Sequence, residues 1–397
     1  MSLSTSTKRP RPASSSSTGS SSSTADMLID AAVLSAAGEE IGSGIVLDNG
    51  AVTDILPPIG RQPSAALFPG FVDIHCHGGG GASFPDDIDD DAIERAAATH
   101  RRSGTVHLLA SIVSCADPTP AIDALVRACA RGTLAGIHLE GPFLSPARAG
   151  AQRPDAIRPI DLAELKQWLD VGSGWIRTVT IAPELDGAVA AAALLKDYRA
   201  IPSWGHTNAT GAQVRAVLAA VGATRSGPRP AQTATHLFNA MPPLHHREPG
   251  PVRELIAAAT RGEVVVELIG DGVHVDPDLV ADLLVLLDGG AALVSDAMAG
   301  AGMPDGRYSL GGVDVTIERG AALLSGTDTL AGGTTTLADQ VSLLLGRGVP
   351  APVLARAACL TPSMVIGIEP PPSPQVGQPL TGVLVDAFGF RAWRDGE

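Results

Sequence analysis

The chain is short of aromatic residues, of cysteines and of positive charge. Aromatics make up 3% of its 397 residues and apolar residues 45%, so a core must be packed from Ala, Val, Leu and Ile. The four cysteines, Cys76, Cys115, Cys129 and Cys359, include no CxxC pair, and the chain is not a small secreted scaffold, so reduced thiols in a cytoplasmic protein are expected. Lys and Arg number 28 against 42 Asp and Glu, and the net charge of −14 is spread along the chain, which argues against a general nucleic-acid surface. No window holds 18 uninterrupted apolar residues, so no membrane span is expected. What remains is a soluble, enzyme-sized chain, long enough for two domains or for one barrel of about 250 residues with additions.

The first 24 residues, MSLSTSTKRPRPASSSSTGSSSST, are low in complexity and nearly free of large apolar groups. They cannot offset the entropy of ordering and are expected to be a disordered tail. KRPRP is basic, but no apolar core follows it, so it does not read as a secretory signal.

Beyond the tail, eight short apolar runs recur: FVDIHCH (71–77), VHLLASIV (106–113), GIHLEGPF (136–143), VTIAPE (179–184), IPSWGHT (201–207), TATHLFN (233–239), VVELIGDG (265–272) and AALVSDAM (291–298). Helically spaced segments such as DDAIERAAATHRRSG, PAIDALVRACARG and DLVADLLVLLDGG lie between them. Alternating strands and helices predict a (β/α)8 barrel or a doubly wound sheet. The polar residues favour the barrel. His75 and His77, Glu140, His206, His236, Asp271 with His274 just beyond, and Asp296 all stand at or near the C-terminal ends of runs. A barrel gathers groups from those ends of several strands, whereas an open sheet concentrates them at one switch point. Residues 25–67, with turns expected at Asn49-Gly50 and Gly42, and residues 371–397 read as short strands that pair into a small β-sandwich beside a barrel over 68–370. The segment YSLGGVDVTIERGAALL (308–324) reads as a hairpin inserted after the eighth strand.

In a strand, residues i and i+2 share a face. His75 and His77 therefore project together, with Cys76 turned away. One HxH alone is as compatible with a packed pair as with a ligand pair. Joined by Glu140, His206, His236 and Asp296 at comparable strand ends, it predicts a divalent-metal site. The glycines of GGGG are expected to let the backbone pass close to whatever sits above that metal. His100 is expected on a helix surface and His245 and His246 in a loop. His107 has no assigned place, and His138 shares the face of Glu140 and is expected to orient it.

With these residues identified, the chain is similar to the N-acetylglucosamine-6-phosphate deacetylase family of the amidohydrolase superfamily. The likeness runs from about residue 27 to the C-terminus, through PGFVDIHCHGGGG, GIHLEGPF, TIAPE, GHTNAT, THLFNAM, REPG, DGVH, SDAM and TLAGG, nine stretches in the family's order. The resemblance implies a metal-dependent barrel with a small β-sandwich built from both chain ends. It implies that Glu140, His206 and His236 hold one divalent ion, with His75 and His77 able to hold a second. Zinc is the default, iron or another divalent ion the alternative. It implies that Asp296 takes the proton of the attacking water and returns it to the departing amine. Ala151, Gln152, Asn239, Ala240, His274, Leu330, Ala331 and Gly332 are implied to contact a phosphorylated amino sugar. Arg247 is implied to reach the site of a neighbouring subunit in a homodimer, its planar fork suited to phosphate.

The match fails at one position. EGPFLSPARAGAQR places Gln152 where the family carries a histidine that contacts the substrate near the acetamide carbonyl. Glutamine still donates an N–H but cannot become a cation. Activity on N-acetyl-D-glucosamine 6-phosphate is nonetheless expected, because the implied ligands and Asp296 are all present. The alternatives are a deacetylase of another N-acylated amino sugar and a binding protein on a catalytically retired barrel.

Overall fold

The structure is a computed structural model and describes residues 27–60, 64–222 and 229–393. The serine-rich tail lies outside the described residues. Eight parallel strands, Phe71–Asp73, Thr105–Val113, Gly136–Glu140, Ile176–Ile181, Ile201–Trp204, Thr233–Ala234, Val265–Ile269 and Ala291–Val294, follow one another in a single sheet in chain order. Each falls on one of the eight apolar runs. Strands covered on both faces read as near-continuous apolar stretches, which is why the runs were visible. The helices between them start where side chains take up the free N–H groups of the first turn. Asp89, Asp161 and Asp276 cap the helices Asp90–Arg102, Leu162–Val171 and Pro277–Leu286.

The first and last barrel strands meet beyond their ends. Cys76 bridges Ala297, the His77 N–H donates to Ala297 O at 2.7 Å and the Asp296 N–H to His75 O at 2.9 Å. The barrel thus closes through the two segments that carry His75, His77 and Asp296.

Both chain ends join one six-stranded sheet, in the order Gly389–Trp393, Gly382–Asp386, Ala65–Phe68, Met27–Leu34, Glu40–Asp48, Ala51–Leu56. Asn49 (φ 50°) and Gly50 (φ 81°) form the left-handed turn between its last two strands, as expected. Gly42 does not turn the chain. It lies inside the strand Glu40–Asp48, where a Cβ would come within 2.5 Å of Ile55 Cγ2. The reversal falls earlier, at Gly38, which takes φ 78°. The inserted hairpin has a third strand: Gly306–Leu310, Val313–Glu318 and Ala321–Leu324 pair antiparallel.

Candidate active site

Two groups of ligand-type side chains converge at the mouth of the barrel. Glu140 is the last residue of its strand, and His206 and His236 stand two residues past theirs. Glu140 Oε1 lies 3.0 Å from His206 Nε2 and 2.9 Å from His236 Nε2. In the second group the Nε2 atoms of His75 and His77 are 3.1 Å apart, and Asp296 Oδ1 is 3.4 Å from the first and 3.3 Å from the second. Glu140 stands between the groups, its Oε2 3.4 Å from His77 Nε2. His75 and His77 lie past the end of the strand proper, yet they keep the shared face that alternation predicts. His206 (φ 46°), His236 (φ 24°) and Asp296 (φ 48°) hold left-handed backbone, which non-glycine residues rarely adopt. Such strain clusters at functional sites.

Each group offers two imidazoles and a carboxylate, all buried, with ligand atoms within 4.8 Å of one another. Nitrogen and oxygen donors in that number suit zinc or a first-row divalent ion, so the residues fit the expected metal. The electrostatics agree. Burial opposes ionisation of Glu140, but His206, His236 and His75 hold its carboxyl well below the usual range. Burial likewise opposes Asp296, and His75 and His77 hold it low. Burial would lower His75, yet Asp296, Glu267 and Glu140 raise it to about 10. The carboxylates of Glu140 and Asp296 stay charged, and they raise the pKa of His75 and His206, whose protons a divalent ion would displace.

Glu267 is the buttress that sequence reasoning missed. Its Oε2 accepts from His75 Nδ1 at 2.9 Å and from the His236 N–H at 3.1 Å, so one carboxylate steadies both groups. The signal was a lone carboxylate inside the apolar run VVELIG. His138 does not orient Glu140. Its ring bonds Ser111 Oγ at 2.9 Å and Thr180 Oγ1 at 2.8 Å, and burial, with His75 beside it, pushes it well below its ordinary pKa, so it stays neutral. Hydroxyls on neighbouring strands leave no mark in sequence.

His100 is not on the helix surface. It is fully buried, because Ile93, Ala96, Ala97 and His100 form the inward stripe of the helix Asp90–Arg102. The glycines after His77 serve that packing. A Cβ at Gly79 would lie 2.9 Å from His100 Nε2, and one at Gly80 2.4 Å from Thr99 Oγ1. They bring the loop against the helix rather than against a bound group. His107 is half-buried, and His245 and His246 stand exposed in a loop, as expected of the latter two.

Ala151, Gln152, Asn239, Ala240, His274, Leu330 and Gly332 line one cavity with His77, Glu140, His206, His236 and Asp296. Ala331 is buried beside them and packs with Met298 and the inserted strands. Gln152 is committed at both ends: its Nε2 donates to Glu140 Oε2 at 2.5 Å and its Oε1 accepts from the Ser114 N–H at 2.6 Å. His274 Nδ1 bonds Asp271 Oδ2 at 2.8 Å, and its Nε2 lies 3.9 Å from Asp296 Oδ2. Arg247 is exposed, outside that lining, with its guanidinium 2.7 Å from His246 Nε2.

The amidohydrolase family model matches residues 66–371. The chain is 36% identical to the N-acetylglucosamine-6-phosphate deacetylase of Bacillus subtilis (strain 168), over 77% of this chain and 79% of that one. It is 32% identical to the N-acetylgalactosamine-6-phosphate deacetylase of Escherichia coli O157:H7, over 83% and 85%. Among solved structures, a mutant N-acetyl-D-glucosamine-6-phosphate deacetylase from Mycobacterium smegmatis, in complex with N-acetyl-D-glucosamine-6-phosphate, superposes with a TM-score of 0.79 at 36% identity, covering 94% of this chain and 98% of that one. With its eight-stranded barrel and its two His/carboxylate groups at the barrel mouth, the chain belongs to the amidohydrolase family, beside the amino-sugar-6-phosphate deacetylases.

Proposed function

We propose that the chain hydrolyses the acetamide of N-acetyl-D-glucosamine 6-phosphate to D-glucosamine 6-phosphate and acetate. One observation carries the reading: Asp296 stands between His75, His77 and His274 on the same cavity as Glu140, His206 and His236. Glu140, His206 and His236 would hold a divalent ion, zinc by default and iron or another divalent ion as the alternative, with a second within reach of His75 and His77; such an ion would acidify a water and polarise the acetamide carbonyl. Asp296, kept ionised by His75 and His77, accepts the proton of the attacking water and delivers it to the departing amine nitrogen. Gln152 spends one amide N–H on Glu140 and keeps the other for the acyl oxygen. Asn239, Ala240 and His274 receive the sugar phosphate, and Leu330, Ala331 and Gly332 form the wall behind it. Arg247 lies outside the cavity of its own chain, which favours a homodimer in which each Arg247 serves the neighbouring site. All four cysteines are free, in keeping with a cytoplasmic enzyme.

The Escherichia coli relative's name favours a second reading, N-acetyl-D-galactosamine 6-phosphate, within the same chemistry. Acetate release by zinc-loaded protein from both phosphorylated sugars and from unphosphorylated N-acetylglucosamine separates these readings. Turnover of a phosphorylated sugar alone, inhibited by inorganic phosphate and reduced 10²- to 10⁴-fold in Asp296→Asn, is the expected result. No acetate from any of the three sugars would leave a retired barrel.

A further inference from the structure

We propose that Asp73, Cys76 and His100 form a second kind of cation site, of the zinc type, on the far side of the His75–His77 segment from the cavity. A carboxylate oxygen of Asp73, the sulfur of Cys76 and a ring nitrogen of His100 lie within 4.8 Å of one another, and all three residues are fully buried. Cys76 Sγ is 3.3 Å from His100 Nε2. The Gly78 carbonyl oxygen adds a fourth donor, 2.9 Å from that nitrogen and 3.4 Å from the sulfur. Zinc–sulfur and zinc–nitrogen bonds of about 2.3 and 2.0 Å at tetrahedral angles put sulfur and nitrogen about 3.5 Å apart. The cluster is therefore near the spacing a small ion needs, and a modest closing of Asp73 completes it.

A second feature of the cluster is an unpartnered, fully buried oxygen on Asp73. Asp73 Oδ1 accepts from the N–H groups of His75, at 3.3 Å, and Ser295, at 3.2 Å. Its Oδ2 has no hydrogen-bond partner among the described residues. A carboxylate oxygen without a donor in a fully buried setting is costly, and a cation removes that cost. Thiolate and carboxylate together balance a charge of two. The sulfur also selects the ion: thiolates favour zinc and its neighbours over magnesium or calcium, which take oxygen ligands.

The local backbone suits the assignment. Alternation sends His75 and His77 towards the cavity and Cys76 the other way. A side chain at position 79 would come within 2.9 Å of His100 Nε2, so only glycine there lets the imidazole approach. With no exposed ligand, the ion enters as the chain folds, and the Cys76 thiol gives its proton to solvent. Bound there, it ties the helix Asp90–Arg102 to the segment that carries His75 and His77.

Cobalt(II) in place of zinc tests this on the full chain, without reference to activity. The groups facing the cavity offer only nitrogen and oxygen, so a thiolate-to-cobalt charge-transfer band in the near ultraviolet reports a cysteine ligand. We expect that band in the cobalt-loaded wild type, its retention in Glu140→Gln, and its loss in Cys76→Ser with about one ion fewer per chain. Should Cys76→Ser fold poorly, His100→Gln is expected to weaken the band in the same way. A folded cobalt protein without the band, or a band that survives Cys76→Ser, would show His100, Cys76 and Gly78 to be a hydrogen-bonded packing cluster and overturn the proposal.

Discussion

By the family resemblance Gln152 stands in place of a histidine, and two short hydrogen bonds hold its amide in position. It fastens Glu140 Oε2 to the Ser114 backbone and leaves Oε1 for His206 and His236. Groups that orient a metal ligand typically account for 10- to 100-fold in metal affinity. Gln152→Met, which keeps the volume and removes both bonds, is expected to weaken metal binding by about that factor in a chelator competition. Gln152→His keeps one donor and one acceptor and is expected to stay within a few-fold of wild type. If the methionine variant binds metal normally, Gln152 serves the substrate alone. If the histidine variant turns over where the wild type does not, the departure from the family marks a lost activity.

If His274 binds the sugar phosphate as proposed, binding carries a pH dependence of definite sign. Burial opposes its charge, but Asp271 and Asp296 raise its pKa above the ordinary 6.5. The imidazolium is therefore complete below that value and is lost as pH rises through the raised pKa. KM for a phosphorylated sugar should climb over that interval, on the order of tenfold for one charged hydrogen bond, and His274→Gln should flatten the climb. A profile identical in the two proteins would remove His274 from phosphate binding.

At the level of strands and helices, the ends matter more than the bodies. Eight apolar runs located eight strands because parallel barrel strands are covered on both faces. The runs did not disclose where each strand stops: TATHLFN contributes only Thr233–Ala234, and the chain bends so that His236 takes a left-handed conformation. Gly205 sits at such an end. A Cβ there would lie 2.6 Å from Thr235 Cβ, and the Thr235 hydroxyl is already bonded to Ser203 and Thr180. Gly205→Ala should therefore cost about 1–3 kcal/mol of stability by overpacking, read from denaturant unfolding of the metal-free protein. It should also weaken metal binding, because His206 and His236 flank the clash. Unchanged unfolding would mean that the strand ends relax more freely than their packing implies.

At the scale of the whole molecule, both chain ends meet in one sheet while the barrel carries the chemistry. Arg247 belongs to this scale through the proposed homodimer. If it serves a partner's cavity, Arg247→Ala and Asp296→Asn should each be nearly inactive alone. Their one-to-one mixture, after subunit exchange, should recover about a quarter of wild-type activity. Half of the dimers are then hybrids, each with one intact site of two. A mixture as inactive as its components would place Arg247 in its own chain's site or in none.

The sequence by itself determined what local periodicity encodes. Alternation aligned His75 with His77 and turned Cys76 away, and the order of runs and helices set a barrel with polar strand ends. The tertiary structure decided whatever depends on distance along the chain. Glu140 meets His236 across 96 residues and His75 meets Glu267 across 192. Only the closed ladder of strands brings those ends together. Burial was decided there too. A histidine near the end of a charged helix reads as exposed until the glycine loop packs over it, and the resulting cluster of Asp73, Cys76 and His100 has no counterpart in the spacing of its residues.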